Sequence, residues 1–280
     1  MESQSIKWDC RVYVYAHQEL ISFWAMEKEL KYLHSVCDVV KVPNQLVTEN
    51  LRMVKPSELN QLYKYVMIFL DDCKIQDAQT FNLARILQVM EQQNLTVASP
   101  MVRKHTVSQH INSRNFSMLI ISIFFYFYQI VGANKGVGFR KIMQTPPLPG
   151  SEGFVSTFVE IFVMVMTMPA YTALWELFCP EINPYAWGYD FWYDRYALER
   201  VPGHKMGIIA TSKVDHVQSA KDSTLGRTDK TDEKVKWKAV LRQERHYKKA
   251  LNVPLNQYRA HMRLANSSWN GSVQSYIPIL

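Results

Sequence analysis

No C-x-x-C pair occurs in this chain. Its four cysteines, Cys10, Cys37, Cys73 and Cys179, are widely scattered, which argues against a zinc site and against a dense disulfide framework. Cys10 and Cys37 lie in or beside apolar strands and read as buried thiols, with one long-range disulfide left open. A disorder signature is missing too: 48% hydrophobic and 20% charged residues among 280 describe a globular protein able to bury a real core. Residues 1–8 are short of apolar character and run at once into a strand, so no secretory signal or N-terminal anchor is expected. The chain is then soluble or lacks an upstream portion. Most of the sequence also lacks net charge. The formal +7 resides in residues 221–263, where twelve Lys/Arg meet five Asp/Glu. Such a segment reports a local anionic partner or a solvated helix face. It contains no recognised nucleic-acid module, so a nucleic-acid partner is not expected.

What is present is an alternation of strands and helices. Strands are expected over 10–16, 36–42, 65–71, 95–102, 154–166 and 205–217. Helices are expected over 19–33, 56–62, 78–92, 169–178 and 231–251. With short links, this order predicts an α/β fold: a mixed, mainly parallel sheet with flanking helices, in one domain over 9–217 followed by a basic C-terminal helix and tail over 218–280. Residues 116–133 (F-S-M-L-I-I-S-I-F-F-Y-F-Y-Q-I-V-G-A) hold no charge and are long enough to be weighed as a membrane span. Ser122, Gln129 and the position between two halves of one domain favour a buried strand or insertion, and an extraneous insert stays open. Residues 135–153, with T-P-P-L-P-G, read as a long loop of the kind that often forms a lid.

The chemistry starts at Y-V-M-I-F-L-D-D-C-K, residues 65–74. An apolar strand, read as fully buried, runs straight into Asp71 and Asp72, and ligands of open α/β sheets sit at strand carboxyl ends. Adjacent carboxylates repel unless a cation lies between them, and a hard divalent cation usually carries substrate phosphates. The plain alternative is a solvated turn, because Asp is a common turn residue. In Trp187-Gly188-Tyr189-Asp190, glycine permits close backbone approach, Trp187 offers a face for a sugar ring, and Asp190 is a carboxylate among aromatics. A carboxyl in such surroundings gains basicity useful for a general base. The plain reading is a structural Trp and an Asp opening the next helix. His216, after Asp215 at the end of the last strand, could complete a metal site begun by Asp71 and Asp72, or be an ordinary loop histidine.

Taken in order, Y-x-Y-V-x-I-F-L-D-D, L-T-V-A-S-P, F-V-E-I-F-V-M-V-M, A-W-G-Y-D and the strand ending D-H-V resemble a glycosyltransferase-like eukaryotic family catalogued as a domain of unknown function. More broadly the chain is similar to glycosyltransferases of the A-type fold over about residues 10–217. The resemblance implies transfer of a sugar from a nucleotide-sugar donor to a hydroxyl of an unknown glycan, lipid or small-molecule acceptor, in the Golgi or endomembrane system. It implies a divalent cation, Mn²⁺ or Mg²⁺, on Asp71, Asp72 and His216, although Cys73 and Lys74 stand where more acid would be expected. Lys74 then contacts phosphate directly, and Lys221 and Arg227 close over it. Asp190 deprotonates or orients the acceptor, with Trp187, Gly188, Tyr189 and Trp192 as the sugar-facing wall. Glu160 matches a family position without an assigned role. Two alternatives stand: a non-catalytic sugar-nucleotide-binding relative, and a membrane-associated protein anchored by 116–133 with its basic tail on anionic lipid.

Overall fold

A computed structural model describes residues 7–14, 34–42, 45–70, 73–75, 79–103, 143, 148–216, 233–251 and 273–278. The helix read over 19–33, the apolar segment 116–133 and most of the 135–153 loop lie outside them. In chain order the elements begin with β1 (Arg11–Val14), β2 (Asp38–Lys41), α1 (Val47–Met53), α2 (Pro56–Leu59), β3 (Tyr65–Phe69), β4 (Cys73–Lys74) and α3 (Leu83–Gln93). Then come β5 (Val97–Arg103), β6 (Ser151–Ser156), β7 (Val163–Thr167), α4 (Met168–Leu177), α5 (Asp190–Leu198), β8 (Met206–His216), α6 (Glu233–Ala250) and β9 (Val273–Pro278). The class is the expected mixed α/β. These elements form two compact units, one drawn from Met1–Lys64, Met168–Arg200 and Ser219–Leu251, the other from Tyr65–Thr167, Val201–Gln218 and Asn252–Leu280.

In the first unit β1 and β2 pair in parallel, Arg11 opposite Asp38. A disulfide joins Cys10 to Cys37, one residue before each strand, so these two are a cross-link and not the buried thiols that their apolar neighbours suggested. The Asp38 amide donates to the Cys10 carbonyl at 2.8 Å, continuing the ladder. Pro56 opens α2, where its missing N–H costs nothing. The buried face of α4 carries Ala170, Tyr171, Leu174 and Leu177. Two tyrosine hydroxyls tie it to its neighbours: that of Tyr171 donates to the Val54 carbonyl (2.7 Å), and that of Tyr193 in α5 donates to the Ala170 carbonyl (2.9 Å). Arg52 lies 3.6 Å over the Trp175 ring and donates to that residue's carbonyl (2.7 Å).

The second unit is a mixed sheet in the order β3-β7-β5-β8-β6-β9, with β4 paired to β8. Parallel pairing joins β5 to β8; antiparallel pairing joins β3 to β7, β7 to β5, β8 to β6, β6 to β9 and β4 to β8. The run read as one strand over 154–166 is two, β6 and β7, parted where the Phe162 amide turns back to the Glu160 carbonyl (2.8 Å). Helix α3 starts at Leu83, later than its apolar pattern suggests, because the Asn82 side chain caps it by accepting from the Arg85 amide at 2.9 Å. Ile86, Val89 and Met90 of α3 meet Leu95, Ala98, Val155, Val165 and Ile209 in the core. Gly153 permits the closest approach: a Cβ there would lie 1.9 Å from the Ile208 carbonyl oxygen. Strand β3 is an edge strand among the described residues, with Ile68 buried and Phe69 exposed, rather than the fully buried strand its composition predicts.

Candidate functional site

Pairing fixes the direction of every strand in the larger sheet. Because β3 and β5 each run antiparallel to β7, they run the same way as one another, and β8 runs parallel to β5. The carboxyl ends of β3, β5 and β8 therefore reach the same edge. After β3 comes Leu70, whose carbonyl accepts from the Cys73 amide at 3.1 Å. Asp71 and Asp72 lie between them and outside the described residues, as do Lys221 and Arg227. At the end of β5 is Arg103, and at the end of β8 are Asp215 and His216.

Strand β4 begins at the residue after Asp72 and pairs with the end of β8: Cys73 opposite His216, Lys74 opposite Asp215. Two motifs far apart in sequence are thus backbone neighbours. On the other side of β8, Asp215 faces Arg103. Asp215 is 4% exposed, and its Oδ1 accepts from Arg103 Nε at 2.6 Å. Its charge is already matched, so it is no free metal ligand. Lys74 on the opposite flank is exposed. Among the described residues no group of three His, Cys, Asp or Glu could hold a metal ion. The donor set expected at this edge, two carboxylates and an imidazole, suits a divalent cation chemically. The Cys73–His216 register fits that set, because it fixes the backbone next to Asp72 beside the histidine.

The W-G-Y-D segment belongs to the first unit and is built differently from the expected wall. Tyr189 is fully buried; its hydroxyl donates toward the carbonyls of Cys179 (2.9 Å) and Asn183 (2.8 Å) and accepts from the Cys179 amide (3.0 Å). Trp192 is 3% exposed and packs on Tyr247, ring centroids 5.7 Å apart. Neither presents a face to a sugar. Both are core residues, a fate the sequence hides because aromatics serve cores and ligand walls alike. Gly188 has φ +87°, and a Cβ there would come within 3.1 Å of Val240 and 3.2 Å of Gln243, so it admits α6 rather than a ligand. Trp187 alone stays open at 42% exposure, edge-on to Trp237 with Lys236 Nζ 5.3 Å from its ring centroid.

Asn183, Thr48 and Gln243, which the sequence reading passed over, hold this segment. Asn183 Nδ2 donates to the Trp187 carbonyl (2.6 Å) and to Gln243 Oε1 (2.7 Å), and Thr48 Oγ1 accepts from the Ala186 amide (2.8 Å). Asp190 then opens α5, its Oδ1 accepting from the Phe191 amide at 3.1 Å. Burial of the carboxyl group pushes its pKa up to about 7, against the opposing pull of the Phe191, Asp190 and Gly188 amides. A carboxyl that titrates near neutrality can take up a proton from a hydroxyl and return it. A cavity of about 580 Å³ also opens in this unit, lined by Arg52, Glu176, Cys179, Tyr196 and Arg200 among others, and none of the candidate catalytic, sugar-binding, phosphate-binding or metal residues lines it.

The structure thus groups the expected residues in two sets. Lys74 and His216 sit on adjacent strands of the second unit; Trp187, Gly188, Tyr189, Asp190 and Trp192 share one turn and helix start of the first. The family described as "Protein of unknown function (DUF707)" matches residues 28–268. The chain belongs to that family, the coarser part of the resemblance read from its motifs. No curated protein matches the chain.

Proposed function

We propose that the protein is a glycosyltransferase that moves a sugar from a nucleotide-sugar donor to a hydroxyl acceptor. The observation that carries this reading is the pairing of Cys73 with His216 at an edge where three codirectional strands end. Sheet edges of this kind are where open α/β folds bind nucleotides. A divalent cation, Mn²⁺ or Mg²⁺, on Asp71, Asp72 and His216 would supply Lewis acidity toward the diphosphate. Lys74, Lys221 and Arg227 bind the diphosphate oxygens by charge-assisted hydrogen bonds. Asp190 is the acceptor-side base, and its raised pKa of about 7 supports that role. Trp187 is the stacking face that remains for a sugar, while Gly188, Tyr189 and Trp192 support it from within. The Cys10–Cys37 cross-link supports residence in an oxidising compartment, in keeping with an endomembrane enzyme.

The test is release or transfer of a radiolabelled sugar from a panel of nucleotide sugars with Mn²⁺, for the natural chain and Asp72→Ala. Metal-dependent turnover lost in the variant supports the reading. Turnover that survives Asp72→Ala refutes the acidic-motif assignment, and stoichiometric binding without turnover identifies a non-catalytic relative instead.

A further inference from the structure

We infer that Arg103 and Lys74 form a phosphoryl-anion site, with Asp215 as the residue that positions Arg103. Arg103, Asp215 and Lys74 occupy one rung across β5, β8 and β4. Side chains on one rung of a ladder share a face of the sheet, and the Arg103–Asp215 ion pair is the direct sign of it. The rung is cation–anion–cation, so one positive charge is left over once Asp215 is matched. Asp215 engages Nε of Arg103, and the Nη2 group is buried with no hydrogen-bond acceptor. A buried guanidinium donor without an acceptor is unfavourable, and an anionic oxygen would satisfy it. Lys74 is exposed and makes no ion pair among the described residues. With neighbouring strands about 4.8 Å apart, the two cationic residues have backbones about 10 Å apart across Asp215, a gap two long side chains can close on one phosphoryl or diphosphoryl group. Arginine is suited to the buried arm because its planar fork keeps one edge on Asp215 while presenting the other.

This deepens the proposed function, since the rung lies at the edge assigned to the nucleotide-sugar donor, yet it can be tested apart from it. The full chain is titrated calorimetrically in EDTA with inorganic phosphate, pyrophosphate and a nucleoside diphosphate. The variants are Lys74→Gln and the double substitution Arg103→Gln/Asp215→Asn, which removes both charges together and so leaves no unpaired buried carboxylate. Pyrophosphate is expected to bind the natural chain, and Lys74→Gln to bind it roughly tenfold more weakly, the loss of one charge-assisted contact. The double variant is expected to bind at least that much more weakly. Tighter binding of the nucleoside diphosphate than of pyrophosphate assigns the site to a nucleotide donor; equal affinity assigns it to a free phosphoryl group. Unchanged pyrophosphate affinity in Lys74→Gln, or no pyrophosphate binding by the natural chain at low ionic strength, overturns the inference. Should the double variant not fold, Lys74→Gln decides alone, because its side chain is exposed. Sugar transfer with unchanged pyrophosphate binding in the variants sinks this site and leaves the glycosyltransferase reading standing. Anion binding through the rung without recognition of any nucleotide sugar does the reverse.

Discussion

Asp190 holds its proton to a pH where an ordinary aspartate is fully ionised, because burial disfavours the carboxylate more than the Phe191, Asp190 and Gly188 amides favour it. The folded-state pKa, about 7, lies above the unfolded value of 3.8. Between these two values the folded state binds the extra proton, so stability falls as pH rises through that window and stays lower above it. We expect Tm to drop by at least about 4 °C from pH 5 to pH 8 because of this group, and the drop to shrink in Asp190→Asn. Melting curves of the two proteins that shift in parallel with pH would remove the raised pKa from the account. If Asp190 is also the acceptor-side base, Asp190→Asn lowers turnover by roughly 10²–10⁴-fold while donor binding, measured calorimetrically, is unchanged. A second residue makes a purely steric prediction. A Cβ on Gly153 collides with the backbone of Ile208, which cannot swing aside as a side chain would. Gly153→Ala is expected to cost at least about 3 kcal/mol by urea denaturation, and a cost under 1 kcal/mol would show that β6 and β8 can part freely.

Elements show where local pattern suffices and where it does not. The strands expected over 65–71 and 205–217 and the helix expected over 78–92 are all present with shifted bounds, as Tyr65–Phe69, Met206–His216 and Leu83–Gln93. The helix buries the Ile86, Val89 and Met90 face of its apolar pattern, whereas the first strand buries Ile68 and exposes Phe69. Their partners are not plain from periodicity. Strand–helix–strand alternation predicts parallel neighbours, and β5 beside β8 obeys it; β7 and β6 slot in as antiparallel neighbours through links that periodicity cannot see. Cross-strand chemistry is equally hidden. Glu152 of β6 is 3% exposed and accepts from Arg85 of α3 and from Thr211 Oγ1 (2.7 Å), and the Arg85 hydrogen bond is the chief cause of its lowered pKa. Its contribution is therefore present above the usual carboxylate range and lost as pH falls. Glu152→Gln should destabilise by roughly 3 kcal/mol at pH 7 and by progressively less on acidification, as read by denaturant titration across pH. In the other unit, the cross-link closes the stretch from Cys10 to Cys37. A loop of that size is worth roughly 3–4 kcal/mol, so reduction by dithiothreitol should lower the urea midpoint, and Cys10→Ser should mimic it. Equal midpoints with and without reductant would mean that β1 and β2 hold their register unaided. Two scattered cysteines could not disclose this pairing, because what joins them is the parallel alignment of β1 with β2.

At the scale of the whole molecule, the two sets of candidate residues, one in each unit, were legible to different degrees. The acidic strand end and the D-H strand end announce themselves, as does W-G-Y-D. That Cys73 stands opposite His216 follows from the ladder alone, and Arg103 was missed although it ends a strand by the same rule that singled out Asp71. Conversely the resemblance placed Tyr189 and Trp192 in a sugar-facing wall, and only the closing of their polar groups and surfaces inside the first unit shows them to be core. The proposed function requires that the edge shared by β3, β5 and β8 grip the diphosphate of a nucleotide sugar through a divalent cation. Calorimetric titration of the intact chain with nucleoside diphosphates, with and without Mn²⁺, tests it most directly. Mn²⁺ is expected to strengthen binding at least about tenfold and Asp72→Ala to abolish that enhancement; Mn²⁺-independent binding, or an enhancement that Asp72→Ala retains, rules the cation-bridged grip out.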